Sequence, residues 1–442
     1  MYIIILIIRF VKKNFLKREK FCDILYPKGS VFTMKLKCGL LGETLKHSYS
    51  KQIHACFRDY EYELYGVSRD EAERIIKSRE FTGLNVTIPY KELAYSLCDE
   101  VDEFAREAKS VNTITYRDGK ICGANTDVFG FISMVESANI SFCDKNVVIL
   151  GSGGTSKTAY LASKKLGARS ITVVSRSREI NYNNIYEKTD TEIIVNTTPV
   201  GMYPKNGVSP IDISRFPKLT GVVDVIYNPE KTSLIFDAEK LCIPHISGLH
   251  MLAAQGFRAA ELFLGEKLSE NLILDAVKSV FKTCRNIILI GMPGSGKSSV
   301  GKEVAKKLNR EFVDTDDIIK EEFAPPSEII TEKGEEAFRK IETEVLSHVC
   351  REKGLVIATG GGVVEREENF RIIRQNGRVY RIERDLSSLD RTDRPLSKDV
   401  ESLYERRRDK YERFSDVKIE NDKTPESAAE KIINDFSVGD II

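Results

Sequence analysis

From Met34 onward the sequence predicts an α/β protein with largely parallel sheets. Apolar, strand-like runs alternate with helical patterns almost to the end of the chain. Two separate stretches, Val147–Leu150 and Asn286–Ile290, each open a new glycine-punctuated strand–loop–helix unit. Between them, Gly248–Leu264 and Leu268–Val280 read as helices. Phe281–Asn286 then leads into the second unit without a Gly/Ser- or Pro-rich linker, so the two halves are expected to lie close together. The boundary is placed near Lys282. A chain of 442 residues has room for two or three such cores.

Composition narrows the function. A formal charge of +1 gives no support for nucleic-acid or membrane-surface binding. The nine cysteines are scattered, with no CxxC pair, which reads as buried thiols in a reducing cytosol. Tyr2–Ile8 is apolar but far shorter than the roughly 20 residues a membrane span needs. Its basic stretch follows the apolar run, the reverse of a secretory signal. Residues 1–33 therefore read as an extension of unknown role or a misplaced start, ahead of a first strand at Lys35–Leu41. With no other long apolar stretch, a cytoplasmic protein is expected; oligomeric state is left open.

Gly291-Met-Pro-Gly-Ser-Gly-Lys-Ser298 satisfies G-x-x-x-x-G-K-[ST] in full, between a buried-type strand and a helix with Val300, Val304 and Leu308 on one face. Glycines let backbone N–H groups curl around the phosphates of ATP, and the helix N-terminus adds partial positive charge. Gly294, Ser295, Gly296, Lys297, Ser298 and Ser299 form this cradle, with Lys297 on the β/γ-phosphates and the Ser298 hydroxyl on Mg²⁺. The next strand ends in Asp314-Thr-Asp316, which offers two carboxylates. One suits Mg²⁺ and the other suits the proton of a substrate hydroxyl. Arg339, Gly360-Gly361-Gly362, Arg394 in a charge-rich candidate lid, and Arg407 four residues before Tyr411 follow. Guanidinium groups stay charged and pair bidentately with carboxylates, so the acceptor is expected to be anionic.

This set resembles shikimate kinase over residues 286–436. The resemblance implies a P-loop kinase fold of the nucleoside monophosphate kinase type. It implies that Asp316 and Arg339 bind shikimate, that Arg407 joins Arg339 on its carboxylate, and that Gly361 and Gly362 approach the ring. Asp314 would support Mg²⁺ beside Ser298, while Lys297, Asp316 and Arg394 would be catalytic. Two departures stand out. The lid segment Leu386–Asp393 is short for the family, leaving Arg391 only a candidate nucleotide contact. The family's proline after Arg407 is missing from Arg407-Arg-Asp-Lys-Tyr411, which keeps Arg406 and Arg408 open as the ligand.

In the first half, Gly151-Ser152-Gly153-Gly154-Thr155 follows the Val147 strand and opens a helix over Thr158–Leu166, the pattern of a dinucleotide site. The strand Ser170–Val174 ends not in a carboxylate but in Ser175-Arg176-Ser-Arg178, suited to a 2′-phosphate and hence to NADP(H) over NAD. Upstream, Lys91 stands near a helix start behind Asn85-Val-Thr87, and Asp127 follows Asn125 at another turn, able to pair with that lysine.

These segments, with His47-Ser48-Tyr-Ser50, Val111-Asn112-Thr113, Asn196–Met202, Asp224–Pro229 and Gly248–Gln255, resemble shikimate dehydrogenase over residues 34–280. The resemblance implies that Ser48, Ser50, Thr87, Asn112, Asp127, Tyr227 and Gln255 contact substrate. Lys91 and Asp127 would be the catalytic pair, with nicotinamide near Met202 and Gly248. Here too there are departures. Lys51 replaces a proline, Lys109-Ser110 replaces a Gly-Ala pair, and Ser175–Asn196 is short, as if a strand–helix portion had been trimmed.

The expected architecture is thus an α/β chain with three parts. An extension (1–33) precedes a two-lobed shikimate dehydrogenase-like region (34–282), and a shikimate kinase-like P-loop domain follows (285–442). The substrate lobe comprises about 34–125 plus 249–282, and the Rossmann NADP lobe about 126–248. The expected function is NADPH-dependent reduction of 3-dehydroshikimate to shikimate, then its phosphorylation by ATP. The alternatives are a quinate/shikimate dehydrogenase of relaxed specificity fused to a related kinase, or one half decayed to a regulatory binding module.

Overall fold

The computed structural model describes residues 36–45, 48–389 and 400–438. Three sheets follow one another along the chain. The first contains β1 (Lys37–Gly42), β2 (Glu61–Gly66), β3 (Gly83–Val86), β4 (Glu100–Val101), β5 (Thr113–Arg117) and β6 (Lys120–Ala124), in the order β2-β1-β3-β5-β6-β4. β1 pairs in parallel with β2 and β3, whereas β5 runs antiparallel to β3 and β6. The β5–β6 hairpin has a local cause. Asp118 and Gly119, between β5 and β6, hold φ of 48° and 75°, the tight two-residue turn that Asp-Gly favours.

The second sheet is wholly parallel: β7 (Asn146–Leu150), β8 (Ser170–Val174), β9 (Ile193–Asn196), β10 (Gly221–Asp224) and β11 (His245–Ile246), in the order β11-β10-β9-β7-β8. Between β8 and β9 the chain makes only a single 3₁₀ turn, Ile185–Glu187, which accounts for the short spacing there and leaves β8 at the edge. The helix Leu249–Leu264 then returns to the first lobe, where Phe257 and Phe263 join Ile53, Phe57 and Val277 in one core. The following helix, Asn271–Cys284, starts and ends later than its expected Leu268–Val280.

The third sheet is also parallel: β12 (Asn286–Ile290), β13 (Phe312–Asp314), β14 (Val356–Ala358), β15 (Gly377–Glu383) and β16 (Val417–Glu420), in the order β13-β14-β12-β15-β16. β12 is buried along its whole length, as its unbroken apolar sequence demands of a central strand covered on both faces. No helix among the described residues is long and apolar enough to cross a membrane.

The two halves meet along a polar seam. Arg285 donates to the Glu230 carboxylate from Nε at 2.9 Å and from Nη2 at 2.5 Å, both side chains being largely buried. Arg371 pairs with Asp237 at 2.7 Å. The Gly354 N–H donates to the Cys284 carbonyl at 3.0 Å.

One sequence departure has a structural cost. Lys109 ends the helix Glu103–Ala108 with φ 51°, the left-handed conformation that a side chain resists. Lys109→Gly should therefore stabilise the protein by about 1 kcal/mol, seen as a raised denaturant midpoint for the first-half transition.

Candidate functional sites

The first site lies where the two lobes of residues 36–280 meet. Lys91 opens the helix Lys91–Leu97, and Asp127 opens the helix Asp127–Ser137. Their side chains meet, with Lys91 Nζ 2.6 Å from Asp127 Oδ2, both only partly exposed. Asn112 Nδ2 donates to the other carboxylate oxygen at 2.8 Å and reaches Gln255 Oε1 at 3.5 Å. Asn112 Oδ1 accepts the Thr126 N–H at 2.8 Å, which fixes its amide orientation. Four of the expected residues, Lys91, Asp127, Asn112 and Gln255, are thus joined in one network.

The remaining substrate candidates flank it. Ser48 Oγ donates to Ser50 Oγ at 3.1 Å, and Ser50 opens the helix Ser50–Ala55. Between them, the Tyr49 ring lies 5.7 Å from that of Tyr227. Thr87 follows β3 directly, its N–H bonded to the Leu41 carbonyl at 2.9 Å. His47 lies outside the described residues. Asn85 and Thr113 extend the network inward: Tyr62 OH donates to Asn85 Oδ1 at 2.8 Å, and Asn85 Nδ2 donates to Thr113 Oγ1 at 3.2 Å. Both belong to motifs visible in the sequence, but burial in a strand gave no sign that their polar atoms pair with each other.

The glycine loop after β7 fits a dinucleotide phosphate. Gly151 takes φ 106°, and a Cβ on Gly153 or Gly154 would meet nothing within 4 Å. The helix Gly154–Lys165 starts there with no side-chain cap, so its first N–H groups are available to an anion. This is also earlier than the expected Thr158 start. Ser175 is buried just past β8, while Arg176 and Arg178 are exposed. Met202 is exposed after β9, and Gly248 caps the helix Leu249–Leu264, where a Cβ would overlap the Val225 carbonyl.

In the second half, Gly291, Gly294 and Gly296 hold φ of 146°, 82° and 92°, the curl that brings backbone N–H groups around a phosphate. Lys297 and Ser298 open the helix Lys297–Leu308, and Ser299 lies in its first turn. Lys297 Nζ donates to the Gly291 and Met292 carbonyls at 3.0 Å each, and the buried Ser295 carbonyl accepts from Asn421 Nδ2 at 2.8 Å. Ser298 Oγ donates to Asp314 Oδ2 at 2.6 Å, so the residues suited to Mg²⁺ already stand together. Asp314 and Asp316 do not both lie on the strand as expected, since it ends at Asp314. The helix Thr315–Glu322 begins between them, and Asp314 caps it by accepting the Asp316 N–H at 3.1 Å.

The three glycines after β14 pack against charged groups. A Cβ on Gly360 would stand 2.7 Å from Asp316 Oδ1 and 2.5 Å from Glu342 Oε1, and one on Gly362 would overlap the Arg339 guanidinium. Arg339 is buried and pairs with Glu342 at 2.8 Å and Glu335 at 3.1 Å. Burial raises the Glu342 carboxyl above its ordinary range, with Arg339 opposing the rise. Arg407 is 2 % exposed and donates to the Gly361 carbonyl at 2.9 Å and to Glu365 at 2.6 Å. Arg406 and Arg408 are exposed instead, so Arg407 is the one of the three that faces the glycines. Although burial alone would raise Glu365, its bonds to Lys410 and Arg407 hold it down at about 2. Glu342, Glu365 and Tyr411, whose OH donates to the Gly361 carbonyl at 2.5 Å, are site residues with no role assigned from sequence. The spacings Arg339/Glu342 and Arg407/Tyr411 were their only signal. Arg391 and Arg394 lie outside the described residues.

Comparison with known proteins places each half in a family. Residues 40–114 match the family model of the shikimate dehydrogenase substrate binding domain, and residues 293–437 that of shikimate kinase. Shikimate dehydrogenase (NADP(+)) of Methanosphaera stadtmanae is 35% identical over 258 residues, covering 52% of this chain and 91% of that protein. Among solved structures, a chorismate mutase/shikimate 5-dehydrogenase fusion protein from Clostridium acetobutylicum superposes with a TM-score of 0.52 at 32% identity, over 55% of this chain and 96% of that one. Shikimate 5-dehydrogenase from Thermus thermophilus, solved in complex with NADP(H) and shikimate, gives 0.51 at 26% identity, over 55% and 98%. NADP belongs to the first half, and ATP with Mg²⁺ to the second. The chain therefore belongs to the shikimate dehydrogenase (NADP⁺) family and carries a shikimate kinase domain fused behind it, two enzymes of the shikimate pathway in one polypeptide.

Proposed function

We propose that the first half works in the direction of reduction, turning 3-dehydroshikimate into shikimate, and that the second half phosphorylates the same C3 hydroxyl to give shikimate 3-phosphate. The observation that carries the first step is the half-buried Lys91–Asp127 pair at 2.6 Å. NADPH, when bound, supplies the hydride to the ring ketone. Lys91 Nζ then gives a proton to the developing alkoxide oxygen, and Asp127 keeps the ammonium aimed at it. Asn112 holds the Asp127 carboxylate from its other side and leaves Gln255, Thr87, Ser48, Ser50 and Tyr227 to orient the ring. Gly151–Thr155 and Gly248 would seat the dinucleotide, with Met202 along the nicotinamide and Ser175, Arg176 and Arg178 at the 2′-phosphate.

For the second step, ATP with Mg²⁺ supplies the phosphoryl group. Ser298 and Asp314 would hold the metal, and Gly294–Ser299 the phosphates. Asp316 would accept the hydroxyl proton. Arg339 and Arg407, presented beside Gly361 and Gly362, would fix the shikimate carboxylate bidentately. Arg394 is assigned to the transferring phosphoryl group from the resemblance alone. Free thiols at the described cysteines favour a cytosolic setting.

Three outcomes follow from these roles. Lys91→Ala should lower NADP-linked turnover about 10²–10⁴-fold and leave ATP-dependent phosphorylation intact, as loss of a proton donor requires; equal loss of both activities would contradict the assignment. Gly362→Ala pushes a methyl group into the Arg339 guanidinium. It should raise the shikimate KM of the kinase at least about tenfold, with normal dehydrogenase kinetics. Chelation by EDTA should abolish phosphorylation while NADPH oxidation on 3-dehydroshikimate continues unchanged.

A further inference from the structure

Two loops of the first half face the second across the seam. One follows β9 and carries Met202 and Tyr203; the other follows β10 and carries Tyr227, Asn228 and Glu230. The Tyr203 N–H donates to the Asn228 carbonyl at 3.4 Å, so the loops touch each other. Their firmer connection runs through the kinase. Asn376 sits between the helix Glu367–Arg374 and β15, and its carboxamide is divided between the two loops. Its Oδ1 accepts the Glu230 N–H at 2.8 Å, and its Nδ2 donates to Tyr203 OH at 3.2 Å. Gln375 repeats the pattern: its Oε1 accepts from Asn206 Nδ2 at 2.7 Å and its carbonyl from the Lys231 N–H at 3.0 Å. Gln375 and Asn376 are only 5 % and 8 % exposed.

A further kinase residue reaches the substrate side of the same site. Lys353 Nζ lies 4.6 Å from the centroid of the Tyr49 ring, between the two serines that flank the substrate. Tyr49, Tyr227, Glu230, Cys284, Arg285 and Lys353 line one small, partly open pocket between the halves.

We infer that Asn376, a residue of the kinase half, is a positioning residue for the dehydrogenase reaction: its carboxamide sets the spacing between the loop that carries Tyr227 and the loop that carries Met202. The inference rests on the reading above that Tyr227 touches substrate and Met202 lies by the nicotinamide. Hydride transfer is sensitive to that spacing, because a displacement of about 1 Å from a remote change can cost on the order of 10²-fold in rate. A simple docking contact would need only one of the loops. Here one buried amide bonds to both, and its two ends discriminate donor from acceptor. The kinase is insulated from the side chain, since what Asn376 gives β12 is its backbone carbonyl, which accepts the Asn286 N–H at 2.9 Å.

The full-length protein provides the test. Asn376→Ala should lower dehydrogenase kcat about tenfold or more with a smaller change in the shikimate KM, keep kinase kcat within about twofold, and leave the far-ultraviolet spectrum unchanged. Tyr203→Phe removes the same bond from the other side and covers the case in which the alanine variant does not fold. It should lower kcat in the same direction, and the double variant should lose less than the product of the two single effects. Asn376→Asp keeps the acceptor for Glu230 N–H and can accept from Tyr203 OH, so it should recover part of the rate. Unchanged dehydrogenase kinetics in both single variants, or a parallel fall of both activities, would overturn the inference and leave the proposed function standing. A wild type with no NADP-linked turnover of shikimate would overturn both.

Discussion

Arg285 stands at the point where one enzyme ends and the next begins, one residue past the helix Asn271–Cys284 and one before β12. Its guanidinium forks onto Glu230, three residues beyond Tyr227, and its carbonyl accepts from Arg310 Nη1 at 2.9 Å. A largely buried, bidentate pair of this kind has little tolerance for rotation. It fixes the direction in which the kinase sheet leaves the dehydrogenase and brings the Gln375–Asn376 loop against the Tyr203 and Glu230 loops. Removing either partner would strand a charge at the seam, a far larger penalty than the pair's own net contribution.

Within each half the sites obey a common constraint. Parallel strands end at one edge of the sheet, and the loops that leave that edge carry the chemistry. The glycine loop follows β7, the P-loop follows β12, and Gly360–Gly362 follow β14. Both phosphate loops deliver the chain into a helix whose first N–H groups lack a side-chain cap. The first lobe departs from this plan at β5, which runs antiparallel to β3 and, through the Asp118-Gly119 hairpin, to β6. That turn folds β5 and β6 back and so sets Asn112, before β5, close to Asp127, after β6.

Features with a local physical signature were readable in the sequence. Left-handed glycines, a lysine and hydroxyl at fixed offset, and buried parallel strands written as unbroken apolar runs all leave marks within ten residues. The five-stranded second sheet was foreshadowed by the short Ser175–Asn196 span. Features that depend on where a chain turns or on distant partners were not readable. Asp314 and Asp316 look like the end of one strand until a helix starts at Thr315. Three consecutive arginines at 406–408 cannot be ranked without the burial that points Arg407 at Gly361. Gln375-Asn376 reads as an ordinary polar turn, because its partners lie more than 140 residues earlier in the chain.

If one polypeptide performs two consecutive steps on one compound, its two activities must run in sequence in one vessel. The most direct measurement incubates the purified full-length protein with 3-dehydroshikimate, NADPH, ATP and Mg²⁺, and follows the products by ³¹P NMR and mass spectrometry. NADPH oxidation should be matched by appearance of shikimate 3-phosphate, and omitting NADPH should stop both. Shikimate that accumulates unphosphorylated, or a 3-dehydroshikimate pool left unreduced, would contradict that sequence of steps.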